Sequence, residues 1–316
     1  MFRRWIHSFI KRYKNVIIEI LKKMGILVGI ILIGIIIMSS VSKKEDKSQT
    51  ENSISIYNPT QTVIKGTEVD KEEFEEDNKI IRNFIDYCNS NKIESAYSLL
   101  SNQCKELLYP TIQDFEKKYY NTLFSSKREY NLQSWINEGK YHTYQVRFIE
   151  DILSTGKYDD SKKGQDYITI DLSLDEPKLN IGGYIKEEAI NKETSNDIVN
   201  VLAVKKNVYM EYEEYYIKIN NKSDYKILLD TNTNLSSIKL VDENNVKYAP
   251  FKKEIKNLND ELSSDVIRPL KIKFNRPYSS NVRVDYIEFS DIVPDVQKYN
   301  SSNNYTDRVN VKIKLR

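Results

Sequence analysis

The sequence predicts an α+β protein held at a membrane: an N-terminal membrane-spanning helix, a unit of helices followed by antiparallel strands, and a closing all-β sandwich. Three observations carry this expectation. Residues 24–41 contain no charged side chain. Apolar residues recur at helical spacing between Ile80 and Leu123. From Tyr144 onward the apolar period shortens to two, with turn-forming residues between short runs.

At 1.5 Å per residue, the uncharged run from Met24 to Val41 nearly matches a bilayer core of roughly 30 Å. Arg3, Arg4, Lys11, Arg12, Lys14, Lys22 and Lys23 precede it against a single acid, Glu19, whereas Lys43, Lys44 and Lys47 after it are offset by Glu45, Asp46 and Glu51. The positive-inside bias therefore places residues 1–23 in the cytoplasm and everything after Val41 outside. A cleaved signal peptide is the rival, because Ser40-Val41-Ser42 has the small-x-small form of a cleavage site. The long basic segment with Trp5, Phe9 and Tyr13 favours an uncleaved anchor, and both alternatives export the remainder.

Residues 42–76 are polar, lack a sustained apolar period and end in an acidic patch around Glu72, Glu73, Glu75 and Glu76, so they are expected as a stalk. Those acids also suit a first helical turn. The α+β unit is expected over residues 77–190. Ile80, Ile81, Phe84, Ile85 and Cys88 share one helical face, and Asn89-Ser90-Asn91 breaks it. Ile93, Ala96, Tyr97, Leu100, Cys104, Leu107 and Leu108 define a second face that Pro110 stops. Thr111, with Asp114 three residues on, caps a third helix carrying Ile112, Phe115, Tyr119 and Leu123. Strands follow at Tyr144, Val146, Phe148 and at Ile168, Ile170, Leu172, Leu174, with a polar hairpin from Gly156 to Gly164. A polar join over Asn191 to Asn196 leads to residues 197–316, where short alternating runs such as Tyr215-Ile217-Ile219, Leu270-Ile272-Phe274 and Val309-Val311-Ile313 predict a sandwich.

The run Ile80 to Tyr87, the stretch Asn91-Lys-Ile-Glu-Ser-Ala-Tyr-Ser-Leu-Leu-Ser101, Asp114-Phe115 and the aromatic β region after them resemble the extracytoplasmic NTF2-like cone domains of Gram-positive bacteria. The resemblance implies helices packed on a curved antiparallel sheet, a fold that can hold a small molecule or host isomerase or dehydratase chemistry. The later segments Tyr216 to Asn221, Leu240 to Tyr248, Ile267 to Phe274 and Ile287 to Ile292 resemble the small immunoglobulin-like domains of Gram-positive membrane proteins. This chain departs from that pattern at Asn245 and Leu270, where those domains usually carry Gly.

The 48 basic and 46 acidic residues are interspersed and leave a net charge of +2, so outside the N-terminal segment no basic stripe suits nucleic acid. Beyond the uncharged run the one histidine is His142, expected as a satisfied structural or surface residue, and no Gly-x-Ser-x-Gly elbow or phosphate-binding glycine loop occurs. Gly182-Gly183 is expected as a turn or bulge. Asp166, Asp171 and Glu150 are candidate pocket carboxylates, with solvated faces as the plainer expectation. Asp230-Thr-Asn-Thr-Asn234 begins like a calcium loop but has Leu235 at the sixth position and Val241 at the twelfth, where Gly and Glu are needed. Cys88 and Cys104 lack partners at zinc-ligand spacing and lie on apolar faces about 15 Å apart at helical rise, so they are expected as buried thiols. The sequence thus names no catalytic residue, metal ligand or cofactor. It is expected to be a non-catalytic, membrane-anchored binding or assembly protein of the bacterial envelope, with envelope proteins or a cell-wall polymer as partners. The alternatives are a small-ligand receptor or enzyme using the cone, or a scaffold subunit of a conjugation or secretion channel.

Overall fold

Helix α1, Lys71–Asn89, starts where Asp70 accepts hydrogen bonds from the Glu72 and Glu73 amides at 2.9 and 3.0 Å. It buries Phe74, Ile81, Phe84, Ile85 and Cys88 along one stripe and stops before Asn91, whose φ of 55° is the left-handed conformation Asn tolerates. The computed structural model describes residues 62–63, 70–150, 164–232, 235–258 and 260–316. All of them belong to one compact unit, Ile54–Arg316.

The second helical face is split into α2, Ile93–Ser98, and α3, Asn102–Leu108. A backbone exchange explains the break: the Leu179 amide donates to Leu99 O and the Ser101 amide to Leu179 O, each at 2.9 Å. Ser101 then caps α3 by accepting from the Cys104 amide. Thr111 caps α4, Ile112–Phe115, by accepting from the Asp114 amide at 3.0 Å, and donates its hydroxyl to the Asp114 carboxylate at 2.8 Å. A π-helical turn over Glu116–Tyr120 and α5, Asn121–Leu123, finish the helical part. That wider turn sits where Phe115 and Tyr119 stack at 5.6 Å.

Four antiparallel strands, β1 Arg128–Glu138, β2 Tyr141–Glu150, β3 Gly164–Asp171 and β4 Lys178–Asn180, lie in the order β1-β2-β3-β4. Their inward side chains, among them Tyr144, Val146, Phe148, Ile168 and Ile170, share one core with α1 and with Phe115 and Tyr119. The Gly182-Gly183 turn, with φ of 67° and 71°, leads into β5, Tyr184–Ser195. β5 pairs with β6, Val199–Tyr209, which pairs with β7, Glu213–Asn221, and β7 with β12, Ile267–Phe274. Between them come β8 Ile227–Leu228, β9 Lys239–Asp242, β10 Lys247–Tyr248, α6 Lys252–Leu258 and β11 Glu261–Leu262. β13 Val284–Ile292, α7 Val296–Ser301 and β14 Val309–Lys314 complete the chain, giving a further sheet ordered β10-β9-β13-β14. Ile217, Ile219, Ile272 and Phe274 of one sheet meet Leu240, Ile287, Phe289 and Ile313 of the other in a second core.

The fold class differs from the α+β expectation of a membrane helix, an NTF2-like cone and an immunoglobulin-like sandwich. Strand is the dominant structure, with fourteen strands among the described residues, and the helices lie mainly before β1. The polar segment Asn191 to Asn196, expected as a join, is largely the end of β5, with Lys192 to Ser195 paired to Ala203 to Asn200 of β6. Its side chains are mostly exposed, so hydrogen bonding to β6 and not apolar alternation makes it a strand. No helix among the described residues is long and apolar enough to cross a membrane, and the expected spanning helix at 24–41 lies outside them. The stalk expected over 42–76 is in part helix, since α1 begins at Lys71. The Val63 amide donates to Ser134 O of β1, placing backbone from that region on a sheet edge. The hairpin expected from Gly156 falls outside the described residues apart from Gly164 at the start of β3.

Candidate functional site

Strand pairing concentrates charge at one end of the second core. Lys186, Glu188 and Ile190 alternate on β5, and the register sets Glu188 opposite Lys206 and Lys186 opposite Val208. The next register sets Lys206 opposite Tyr215 and Val208 opposite Glu213. Positions that continue an apolar face farther along each strand therefore become ionic here. Glu188 pairs with Lys186 at 2.9 Å and Lys206 at 3.2 Å, and Lys206 also reaches Glu213 at 3.5 Å. β12 ends beside Glu213, so Arg276, just beyond it, pairs with that carboxylate; both side chains are almost fully buried. Arg276 also donates Nη2 to Val282 O at 2.5 Å, which folds the following loop back on itself. In the same loop the Tyr278 amide donates to Met210 O at 2.9 Å, and the Tyr278 hydroxyl donates to Glu138 at the end of β1.

These groups line a cavity of about 570 Å³, with Arg283 and Arg316 on its rim and Ile190, Val208, Val284 and Leu315 among its apolar walls. Burial raises the Glu188 carboxyl, but the charges of Lys206 and Lys186 outweigh it and hold the carboxyl below its usual range. Burial lowers Lys186, yet hydrogen bonding and charge from Glu188, with Glu138 beyond, raise its pKa overall. Lys186 and Glu188 thus hold each other as ions. The Arg276 Nε–H, in contrast, is a buried donor with no hydrogen-bond partner.

His142 stands elsewhere, buried between α1 and β2. Its Nδ1 lies 2.7 Å from Asp77 Oδ2 and its Nε2 3.1 Å from Glu73 Oε1, while Tyr144 donates its hydroxyl to Asp77 at 2.7 Å. Glu73 and Asp77 are one helical turn apart on α1, so both carboxylates point at the same ring. Burial pulls the His142 pKa down, but the hydrogen bond and charge of Asp77 and the charge of Glu73 outweigh it, so the net shift is upward. With both nitrogens held by carboxylates, the ring clips helix to sheet.

The three candidate carboxylates do not converge. Asp166 is buried on β3, accepting from Tyr119 Oη at 2.8 Å, Gly182 N at 3.0 Å and Tyr167 N at 2.7 Å, beside a cavity of about 190 Å³ bounded by Tyr209 and Tyr212. Asp171 faces a different cavity and caps its own turn by accepting from the Ser173 amide at 2.9 Å. The Glu150 side chain lies outside the described set. Asp230 spends its carboxylate on its own loop, accepting from Asn232 N at 3.0 Å, Ser237 N at 2.9 Å and the Ser236 hydroxyl. Among the described residues no group of three or more His, Cys, Asp or Glu is arranged to hold a metal ion. Cys88 and Cys104 are both free and buried, and desolvation pushes each thiol up to about 12.

Burial pushes the Asp166 carboxyl up to about 6, against the downward pull of its hydrogen-bond donors. The native carboxyl therefore keeps its proton to a higher pH than the unfolded one, and the stability it contributes is lost as pH rises from 3.8 to about 6. Between pH 4 and 7 the wild type should lose about 2–3 kcal/mol relative to Asp166→Asn. Urea melts of both proteins across that range check this, and parallel pH profiles would refute it.

Protein-family models, curated proteins and solved structures give no match to this chain. The cleft itself therefore supplies the functional argument. Arg276, Tyr278, Glu213, Lys206, Glu188 and Lys186 were not singled out from sequence. The available signal is a charge at an inward position of a period-two strand: Lys186 and Glu188 before Ile190, Lys206 before Val208, and Glu213 before Tyr215 and Ile217.

Proposed function

We propose that this chain is a binding or assembly protein of the bacterial cell envelope, attached to the membrane through the uncharged run 24–41, with the charged cleft as its recognition site. The cleft carries this reading: it has the volume of a ligand pocket, about 300–1,000 Å³ in general, and its ionic groups are held in place by strand register and not by flexible loops alone. Such prearranged charges suit selection of a partner. Membrane attachment adds effective concentration to a weak site near envelope components. The lysine and arginine excess before the run supports an exported orientation for everything after it.

A photo-crosslinking side chain at Ser280, on the cleft, should capture an envelope component in intact cells, whereas one at the exposed Lys218 should not. Equal capture at both positions, or none at Ser280, counts against the reading. Location is tested separately. Protease added to intact wall-stripped cells should digest residues after Val41 and spare the basic N-terminal segment; protection of the C-terminal part would overturn the orientation.

A further inference from the structure

We infer that the cleft between β5, β6 and the 276–284 loop binds a small molecule carrying a carboxylate or phosphate on an apolar body. The inference rests on the binding reading above and adds the chemistry of the ligand. Five cationic side chains, Lys186, Lys206, Arg276, Arg283 and Arg316, line the cavity with three carboxylates, Glu138, Glu188 and Glu213. Each carboxylate already has its partners inside the protein. Glu188 is held by Lys186 and Lys206, Glu213 by Arg276, Lys206 and the Tyr215 hydroxyl, and Glu138 by Tyr278 with Lys186 at 3.8 Å. A cationic ligand would have to displace these pairs.

Donor capacity, in contrast, is left over. The exposed Arg283 guanidinium makes no ion pair or side-chain hydrogen bond among the described residues, although its backbone is pinned by Glu243. An unpaired arginine fork is the group best matched to a planar carboxylate or a phosphate. The Arg316 guanidinium is committed to Val284 O, Arg283 O and Glu243, so it shapes the rim. Ile190, Val284 and Leu315 supply apolar wall to the same cavity, which suits a ligand that joins an anionic group to hydrocarbon.

Calorimetric titration of the full chain in neutral detergent tests the inference, with hexyl phosphate, hexanoate, inorganic phosphate and hexylammonium as probes. Both hexyl anions should bind, inorganic phosphate more weakly, and hexylammonium not at all. Arg283→Glu, at an exposed position, should keep the thermal midpoint and weaken hexyl phosphate about tenfold or more, while Arg283→Lys should retain most of the binding. Binding of hexylammonium equal to that of the anions, or unchanged affinity in Arg283→Glu, would overturn the site. Attachment only to vesicles containing phosphatidylglycerol, with no soluble probe bound, would also overturn it and mark a lipid surface instead. Loss of anion binding alongside persistent crosslinking from Ser280 rejects this ligand chemistry but keeps the binding reading; anion binding without crosslinking does the reverse.

Discussion

Replacing Arg276 by Ala is expected to lower folding stability by about 3–5 kcal/mol, because it strands the buried Glu213 carboxylate without its closest cation. Lys206 at 3.5 Å and the Tyr215 hydroxyl remain, but both sit on the sheet and neither replaces the guanidinium that joins Glu213 to Val282 O. The loss would extend to the loop, since Tyr278, two residues on, reaches Glu138 from the same segment. Urea unfolding at neutral pH measures the effect. The double variant Glu213→Gln, Arg276→Met should recover much of it, because removing both charges removes the desolvation cost that one alone leaves behind. Strict additivity of Glu213→Gln and Arg276→Met, each measured singly, would show that the pair is not the unit of stability.

Much of this architecture is legible in local pattern. The α1 stripe, the Thr111–Asp114 cap and the buried alternations Tyr215-Ile217-Ile219 and Leu270-Ile272-Phe274 follow from spacing alone, since each element buries one face. Local pattern fails where a distant partner decides. The break between α2 and α3 depends on Leu179, some eighty residues away, and the outer half of β5 depends on hydrogen bonds to β6 that leave no mark on hydropathy. The cleft was hidden for the same reason. Glu213, at the start of β7, and Arg276 are separated by β7 itself, the four short strands β8 to β11, helix α6 and β12, and only the pairing of Glu213 with Phe274 brings them together. Asp166 could be named as a candidate, but its neighbours Tyr119 and Gly182 come from different elements, so its burial could not.

His142→Ala is expected to cost about 3 kcal/mol near pH 6, because it leaves the buried Asp77 and its neighbour Glu73 facing each other without a cation. The sequence leaves His142 as either a satisfied structural or a surface residue; the two carboxylates on one helical face make it structural. The sign of the pH dependence follows from the upward shift of the native imidazole. The native state holds the His142 proton more tightly than the unfolded chain, so the contribution is complete below pH 6.5 and fades as pH rises through the higher native value. Wild-type stability should therefore decline as pH rises above 6.5, and the gap between wild type and variant should narrow. Asp166 acts in a separate window, from 3.8 to about 6, so the two effects can be told apart. His142→Gln retains a donor toward Asp77 but cannot carry charge, and it should keep part of the stability while losing the alkaline slope. Urea midpoints at pH 6 and pH 9 for the three proteins decide it: parallel declines in all of them would mean that the imidazolium between Asp77 and Glu73 does not hold α1 to the sheet.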